Sequence, residues 1–144
     1  MFKNILFVCV GNICRSPTAE YMLRALVAGR GIEVSSAGLG ALVDHAVDAT
    51  AQQLLLEHGL DGTGHRARQI SRSILSQADL VLTMERKHVR RITEIAPEAS
   101  GKTFLLGKWQ QDREIADPYR QHRAAFEHVY VQMAEGVNSW ARHL

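Results

Sequence analysis

The amino-acid sequence predicts a doubly wound α/β fold, a four-stranded parallel sheet flanked by helices, in a single domain over residues 1–144. Three observations lead there. Short apolar runs that do not alternate with polar residues, NILFVC at 4–9 and DLVLTM at 79–84, read as strands buried on both faces. Between such runs lie segments with apolar residues at helical spacing, opened by Ser or Asp and closed by Gly or Pro. The two signals alternate along the chain, which favours parallel crossovers over hairpins.

The first strand, Asn4 to Cys9, runs into a tight turn. Ser16 is placed to cap a helix, Pro17 to take its first position, and Glu20 to sit in the first turn, where the helix dipole favours a carboxylate. Ala19, Met22, Leu23, Leu26 and Val27 make its apolar stripe, and Gly29 and Gly31 end it. Ile32 to Ala37 reads as the second strand. Asp48 caps a helix carrying Ala51, Leu54, Leu55 and His58, which Gly59 stops. Ser71 opens a short helix before the third strand at Asp79–Met84. Glu85 to Ile95 is a charged helix stopped near Pro97, and Lys102 to Leu106 is the fourth strand. In the closing helix Phe126, Val129, Tyr130, Met133, Val137 and Trp140 share one face, so its aromatics read as core.

Composition narrows the function. With 17 Lys and Arg against 15 Asp and Glu, the formal charge of +2 is too small to argue for nucleic acid or an anionic membrane. The opening MFKNILFVCVGN has only a six-residue apolar run, too short to span a bilayer, and no signal-peptide cleavage pattern, so the protein reads as cytoplasmic. The two cysteines, Cys9 and Cys14, are poor material for a disulfide framework and point to reactive or metal-binding chemistry in a reducing compartment. A zinc site has weak support, since C-x-x-x-x-C has no second paired cluster.

Cys9 falls at the carboxyl end of a strand, where open α/β sheets bind ligands. The turn VGNIC that follows is short enough to aim its backbone N–H groups inward. Gly11 can take positive φ and Asn12 tolerates it, which such a nest requires. With a helix N-terminus behind it, the loop Val10, Gly11, Asn12, Ile13, Cys14 becomes an oxyanion cradle, and Arg15 adds a planar fork matched to two oxygens. The same positive field favours the thiolate of Cys9, making it a nucleophile toward phosphorus. Asp117, in EIADPYR, follows the fourth strand and so approaches the same sheet edge, with Pro118 stiffening it. Its carboxyl can protonate a leaving oxygen and then activate water. Each piece also has a plainer reading. Cys-x5-Arg arises often by chance, Asp-Pro is usually a turn, and ERKHVRRITE is usually a solvated face. Cys14 is either a small buried hydrophobe or the partner of Cys9 in a reversible disulfide.

Taken together, VCVGNICRSPTAE at 8–20 and the distant DPY resemble the low-molecular-weight protein tyrosine phosphatases. The similarity continues through SSAG at 35–38, GHRARQI at 64–70, DLVLTME at 79–85 and ADPYR at 116–120. The resemblance implies a four-stranded parallel sheet, phosphotyrosine hydrolysis without metal or other cofactor, and catalytic roles for Cys9, Arg15 and Asp117. It implies that Asn12, Ser16, Ser36 and His65 form a network holding the loop, with Ser16 aiding thiolate departure. SAGLGALV and EIADPYR are similar to a bacterial branch associated with capsule and exopolysaccharide export. That likeness implies as partner the tyrosine-rich cytoplasmic tail of a membrane tyrosine kinase, with no nucleic acid and no membrane insertion. GLGALVDHA stands where eukaryotic relatives carry a bulky aromatic, so Leu39 is the expected pocket wall opposite Tyr119, and Arg120 stands where many relatives have a second tyrosine. A deep slot between such walls favours phosphotyrosine over the shorter phosphoserine.

Three rivals follow from the same residues. Arsenate reductase on a similar fold needs a relay of later cysteines, and none follows Cys14. Protein-arginine phosphatases resemble this loop but carry threonine where this chain has Ile13. A non-catalytic phosphate binder would capture its ligand without turnover, and would not need nucleophile, arginine and acid together.

Overall fold

Four strands, β1 (Asn4–Cys9), β2 (Glu33–Gly38), β3 (Leu80–Thr83) and β4 (Thr103–Leu105), pair in parallel in the order β2-β1-β3-β4 in a computed structural model that describes residues 2–144. β1 and β3 are buried almost throughout, as their unbroken apolar runs require. On one face Ile5, Phe7, Leu80 and Leu82 pack with residues of α1 (Arg15–Leu26), α2 (Ala49–Glu57) and α5 (Arg123–Ala141). On the other, Leu6, Val8 and Val81 pack with α3 (Arg72–Gln77), α4 (Arg86–Ile95) and the 3₁₀ turn Pro97–Lys102. Helices on both faces make the sheet doubly wound.

Because β1 pairs with β2 on one side and β3 on the other, the connections leaving β1 and β3 go to opposite sides of the sheet at their carboxyl ends. A crevice opens at such a switch point. Cys9, paired in register with Gly38, ends β1 there.

Caps and boundaries follow local chemistry, with corrections. Asp48 caps α2 by accepting from the Thr50 and Ala51 amides, and Ser71 caps α3 through the Ile74 amide. Gly29 and Gly31, at φ 78° and 73°, turn the chain out of α1. The expected Ser16 cap is not observed. α1 begins at Arg15, with Cys14 at the cap position and Pro17 third in the helix, where a missing N–H is tolerated. The Ser16 hydroxyl is engaged by the loop instead. Glu20 is not in the first turn but a turn further on and buried. Lys102 belongs to the 3₁₀ turn, which shortens β4 to three residues.

Candidate active site

The loop after Cys9 is shaped by its carbonyls. Cys9 O accepts from Leu39 N, Val10 O from Gly40 N and Gly11 O from Leu42 N, at 2.9 to 3.0 Å. Asn12 O accepts from His65 Nε2 at 2.7 Å, Ile13 O from Asp48 N at 2.8 Å, and Cys14 O from Thr18 N and its hydroxyl. Six consecutive carbonyls are thus tied to the surrounding scaffold. The N–H groups of Gly11 to Cys14 have no acceptor among the described residues, and with every carbonyl turned outward they form an anion-binding nest at the head of α1. The left-handed residue in it is Asn12, at φ 59°, rather than Gly11.

Asn12 can hold that conformation because its buried side chain is bonded on every side. Its Nδ2 donates to Ser16 Oγ at 2.8 Å and to Ser36 Oγ at 2.9 Å, and its Oδ1 accepts from Arg68 N at 3.0 Å. The Ser36 hydroxyl in turn donates to Glu20 Oε1 at 2.6 Å. Ser16 Oγ, already accepting from Asn12, has its proton left for Cys9 Sγ, 2.9 Å away, and the Ser16 amide adds a longer contact of 3.4 Å. Both groups point at the Cys9 sulfur. Cys14 differs: burial first, then the charges of Asp48 and Cys9, pushes its thiol far up, so it stays protonated at neutral pH.

Arg15 is 2% exposed. Its Nη1 donates to Glu85 Oε2 at 2.6 Å and to Ile115 O at 2.8 Å, which fixes the guanidinium beneath the loop. Nε and Nη2 have no hydrogen-bond acceptor among the described residues, and Nη2 lies 3.8 Å from Asp117 Oδ2. Burial raises the Glu85 carboxyl, but the hydrogen bond and charge of Arg15, with His88 and Lys87, outweigh it and hold it below the ordinary range. Asp117 is half exposed, its Oδ1 accepting from Tyr119 N at 3.0 Å in a turn that Pro118 anchors in the interior.

Cys9, the loop, Arg15, Asp117 and Tyr119 line one cleft of about 200 Å³. Ser16, Ser36 and His65 stand behind it in the hydrogen-bond network. Leu39 does not line the cleft. It packs, partly buried, against the core on the other face of the sheet, and Gly40 and Leu42 take the rim position expected of it. The two leucines are alike in sequence; the segment is held against the loop by the Leu39, Gly40 and Leu42 amides, and in that setting Leu42 turns to the cleft. Tyr119 is 37% exposed, with the Arg120 guanidinium carbon 5.2 Å from its ring centre. The sequence reading assigns no part in this network to Glu85 or the Arg68 backbone, and reads Glu20 only as a helix-dipole carboxylate. Glu85 carried a usable signal, because it directly follows a strand at the same sheet edge as Cys9.

Fold and loop place a nest of N–H groups without acceptors, suited to an oxyanion, at a sheet switch point. Residues 4–144 match the family model described as low molecular weight phosphotyrosine protein phosphatase. The chain is 50% identical over 144 residues to the low molecular weight protein-tyrosine-phosphatase Wzb of Escherichia coli K12, covering all of this chain and 97% of that protein. The solved structure of Vibrio vulnificus Wzb in complex with benzylphosphonate superposes with a TM-score of 0.96 at 42% identity, covering 100% of both chains. An arginine phosphatase, YwlE from Geobacillus stearothermophilus, shares the fold with a TM-score of 0.92 at 33% identity, over 98% of this chain and 92% of that one. The chain belongs to the low-molecular-weight protein tyrosine phosphatase family. It is a protein tyrosine phosphatase of the Wzb-like kind.

Proposed function

We propose that the protein hydrolyses phosphotyrosine through a phosphocysteine intermediate on Cys9. The observation that carries this is the meeting of Cys9 Sγ, the Gly11–Cys14 amides, the free edge of Arg15 and the Asp117 carboxyl in one cleft. The Cys9 thiolate attacks phosphorus as the P–O bond to the tyrosine breaks, and Asp117 gives its proton to the departing phenolate. Loop amides and Arg15 stabilise the charge on the three equatorial oxygens. Water then attacks, Asp117 takes its proton, and the P–S bond breaks with Ser16 donating to the released thiolate. Benzylphosphonate and sulphate, named as ligands of two Wzb structures, are tetrahedral oxyanions of the kind this loop suits. Leu42 and Tyr119 form the walls of a slot that favours a long aromatic phosphoester.

The substrate we infer is the tyrosine-rich tail of a membrane tyrosine kinase of capsule or exopolysaccharide export, met in the cytoplasm. The resemblance of SAGLGALV and EIADPYR to that branch supports it. Among the described residues no helix is long and apolar enough to cross a membrane.

The test is phosphate release from matched phosphotyrosine, phosphoserine and phosphoarginine peptides. The parent is expected to prefer phosphotyrosine, Cys9→Ser to be inactive, and Asp117→Asn to be slowed by about 10² to 10⁴ on the phosphotyrosine peptide. A preference for phosphoarginine, or turnover by Cys9→Ser, contradicts the reading.

A further inference from the structure

His88 lies at the base of α4, 1% exposed, and its Nε2 has no hydrogen-bond partner among the described residues. Its Nδ1 accepts from the Glu85 amide at 3.3 Å, so the neutral ring carries its proton on Nε2. That N–H stands 3.6 Å from Glu85 Oε2, just outside hydrogen-bond reach, while the same oxygen takes Arg15 Nη1 at 2.6 Å. Glu85 Oε1 has Lys87 Nζ 3.6 Å away, and the Glu85 side chain also accepts from the His88 amide in a capping box that keeps the carboxylate beside the imidazole. A buried donor without an acceptor is disfavoured, and a small rotation of the Glu85 carboxylate supplies one.

We propose that His88 is a positioning residue for Arg15: it offers Glu85 a second partner, so that the carboxylate turns to His88 Nε2 as the guanidinium turns to an oxyanion in the loop. The proposal rests on the oxyanion reading of the loop given above. Without this exchange, drawing Arg15 away leaves a largely buried carboxylate poorly compensated, and anion binding bears that penalty. With it, the bond gained at His88 offsets the one loosened at Arg15. Burial, aided by the Arg15 charge, keeps the ring neutral at pH 7, so it donates without repelling the guanidinium. No covalent change is involved.

Two substitutions separate capping from positioning. His88→Asn keeps an acceptor where Nδ1 stands and has nothing at Nε2, whereas His88→Gln carries an amide N–H out to the Nε2 position. The readouts are the Kd of inorganic phosphate, KM and kcat with p-nitrophenyl phosphate, and the thermal midpoint. His88→Asn is expected to raise the phosphate Kd and KM together, about tenfold, with kcat changed far less, as loss of one hydrogen bond to a charged group implies. His88→Gln is expected to recover most of that affinity even if its thermal midpoint falls. An unchanged phosphate Kd in His88→Asn overturns the proposal, and so do equal affinity losses in both variants that follow their thermal midpoints. The parent gives an independent reading by NMR, in which the His88 Nε2–H resonance moves downfield as phosphate saturates. A resonance that stays put while phosphate binds overturns the exchange alone, and a parent that binds no phosphate overturns the oxyanion reading as well.

Discussion

Asn12 shows how much of this site depends on single side chains. It sits at φ 59°, a region most residues avoid, and three side-chain hydrogen bonds to Ser16, Ser36 and the Arg68 amide keep it there. One of them also leaves the Ser16 proton for Cys9 Sγ, so backbone shape and sulfur chemistry share a cause. At the same scale, His88 and Glu85 give the fold a pH dependence. Burial lowers the His88 pKa from 6.5 to about 4, with Arg15 and Lys87 acting in the same sense and Glu85 and Asp117 opposing. The unfolded chain therefore binds a proton that the folded one refuses between those values, and the contribution of His88 to stability, complete above 6.5, is lost as pH falls toward 4. Glu85, held below its usual value, loses its contribution at still lower pH. The thermal midpoint of the parent is expected to fall on acidification from pH 6.5 to 4, and His88→Asn to flatten that slope. Equal slopes in the two proteins would contradict this assignment.

Among the elements, the junction of β2 with the loop leaves no room for a side chain. A Cβ on Gly38 would lie 2.4 Å from Val10 O and 3.0 Å from Asn12 Cβ, so the strand end and the loop approach too closely for any side chain there. Gly101, with nothing within 4 Å of the same atom, serves as the control. Gly38→Ala is expected to destabilise by about 1 to 3 kcal/mol and to lower kcat/KM, because the displaced atoms belong to the nest. Gly101→Ala should change neither thermal midpoint nor kcat/KM appreciably. Retention of both stability and activity by Gly38→Ala would show that the loop does not need this approach. The helices teach a related lesson. Asp48 and Ser71 were legible as caps because each finds free amides two or three residues ahead. Ser16 was misread by the same rule, since its hydroxyl has a stronger claim on it from across the loop than from its own helix.

The whole molecule adds what no element contains. Unbroken apolar runs made β1 and β3 visible in the sequence, and the alternation with helices made the parallel sheet visible. The order β2-β1-β3-β4 was not legible from periodicity, yet it sets β1 beside β3 and brings Cys9, Glu85 and the Asp117 loop to one edge. Cys9, Arg15 and Asp117 could be picked out because their chemistry is carried by residue type and by position after a strand. Leu42 could not be told from Leu39, because nothing local to GLGALV says which leucine turns inward. Glu85 reads as the first residue of a charged surface helix, and only its place after a strand at the Cys9 edge hints that its carboxylate grips the buried arginine. The central claim is that the cleft works through a covalent phosphocysteine with Asp117 serving both steps, and rapid quenching of Asp117→Asn with p-nitrophenyl phosphate tests it most directly. That leaving group needs little help from an acid, so the first step survives while water attack is slowed. The account predicts that a phosphoryl group accumulates on Cys9 and decays slowly. Steady turnover with no phosphorylated Cys9, in a variant whose phosphate release remains measurable, would contradict it.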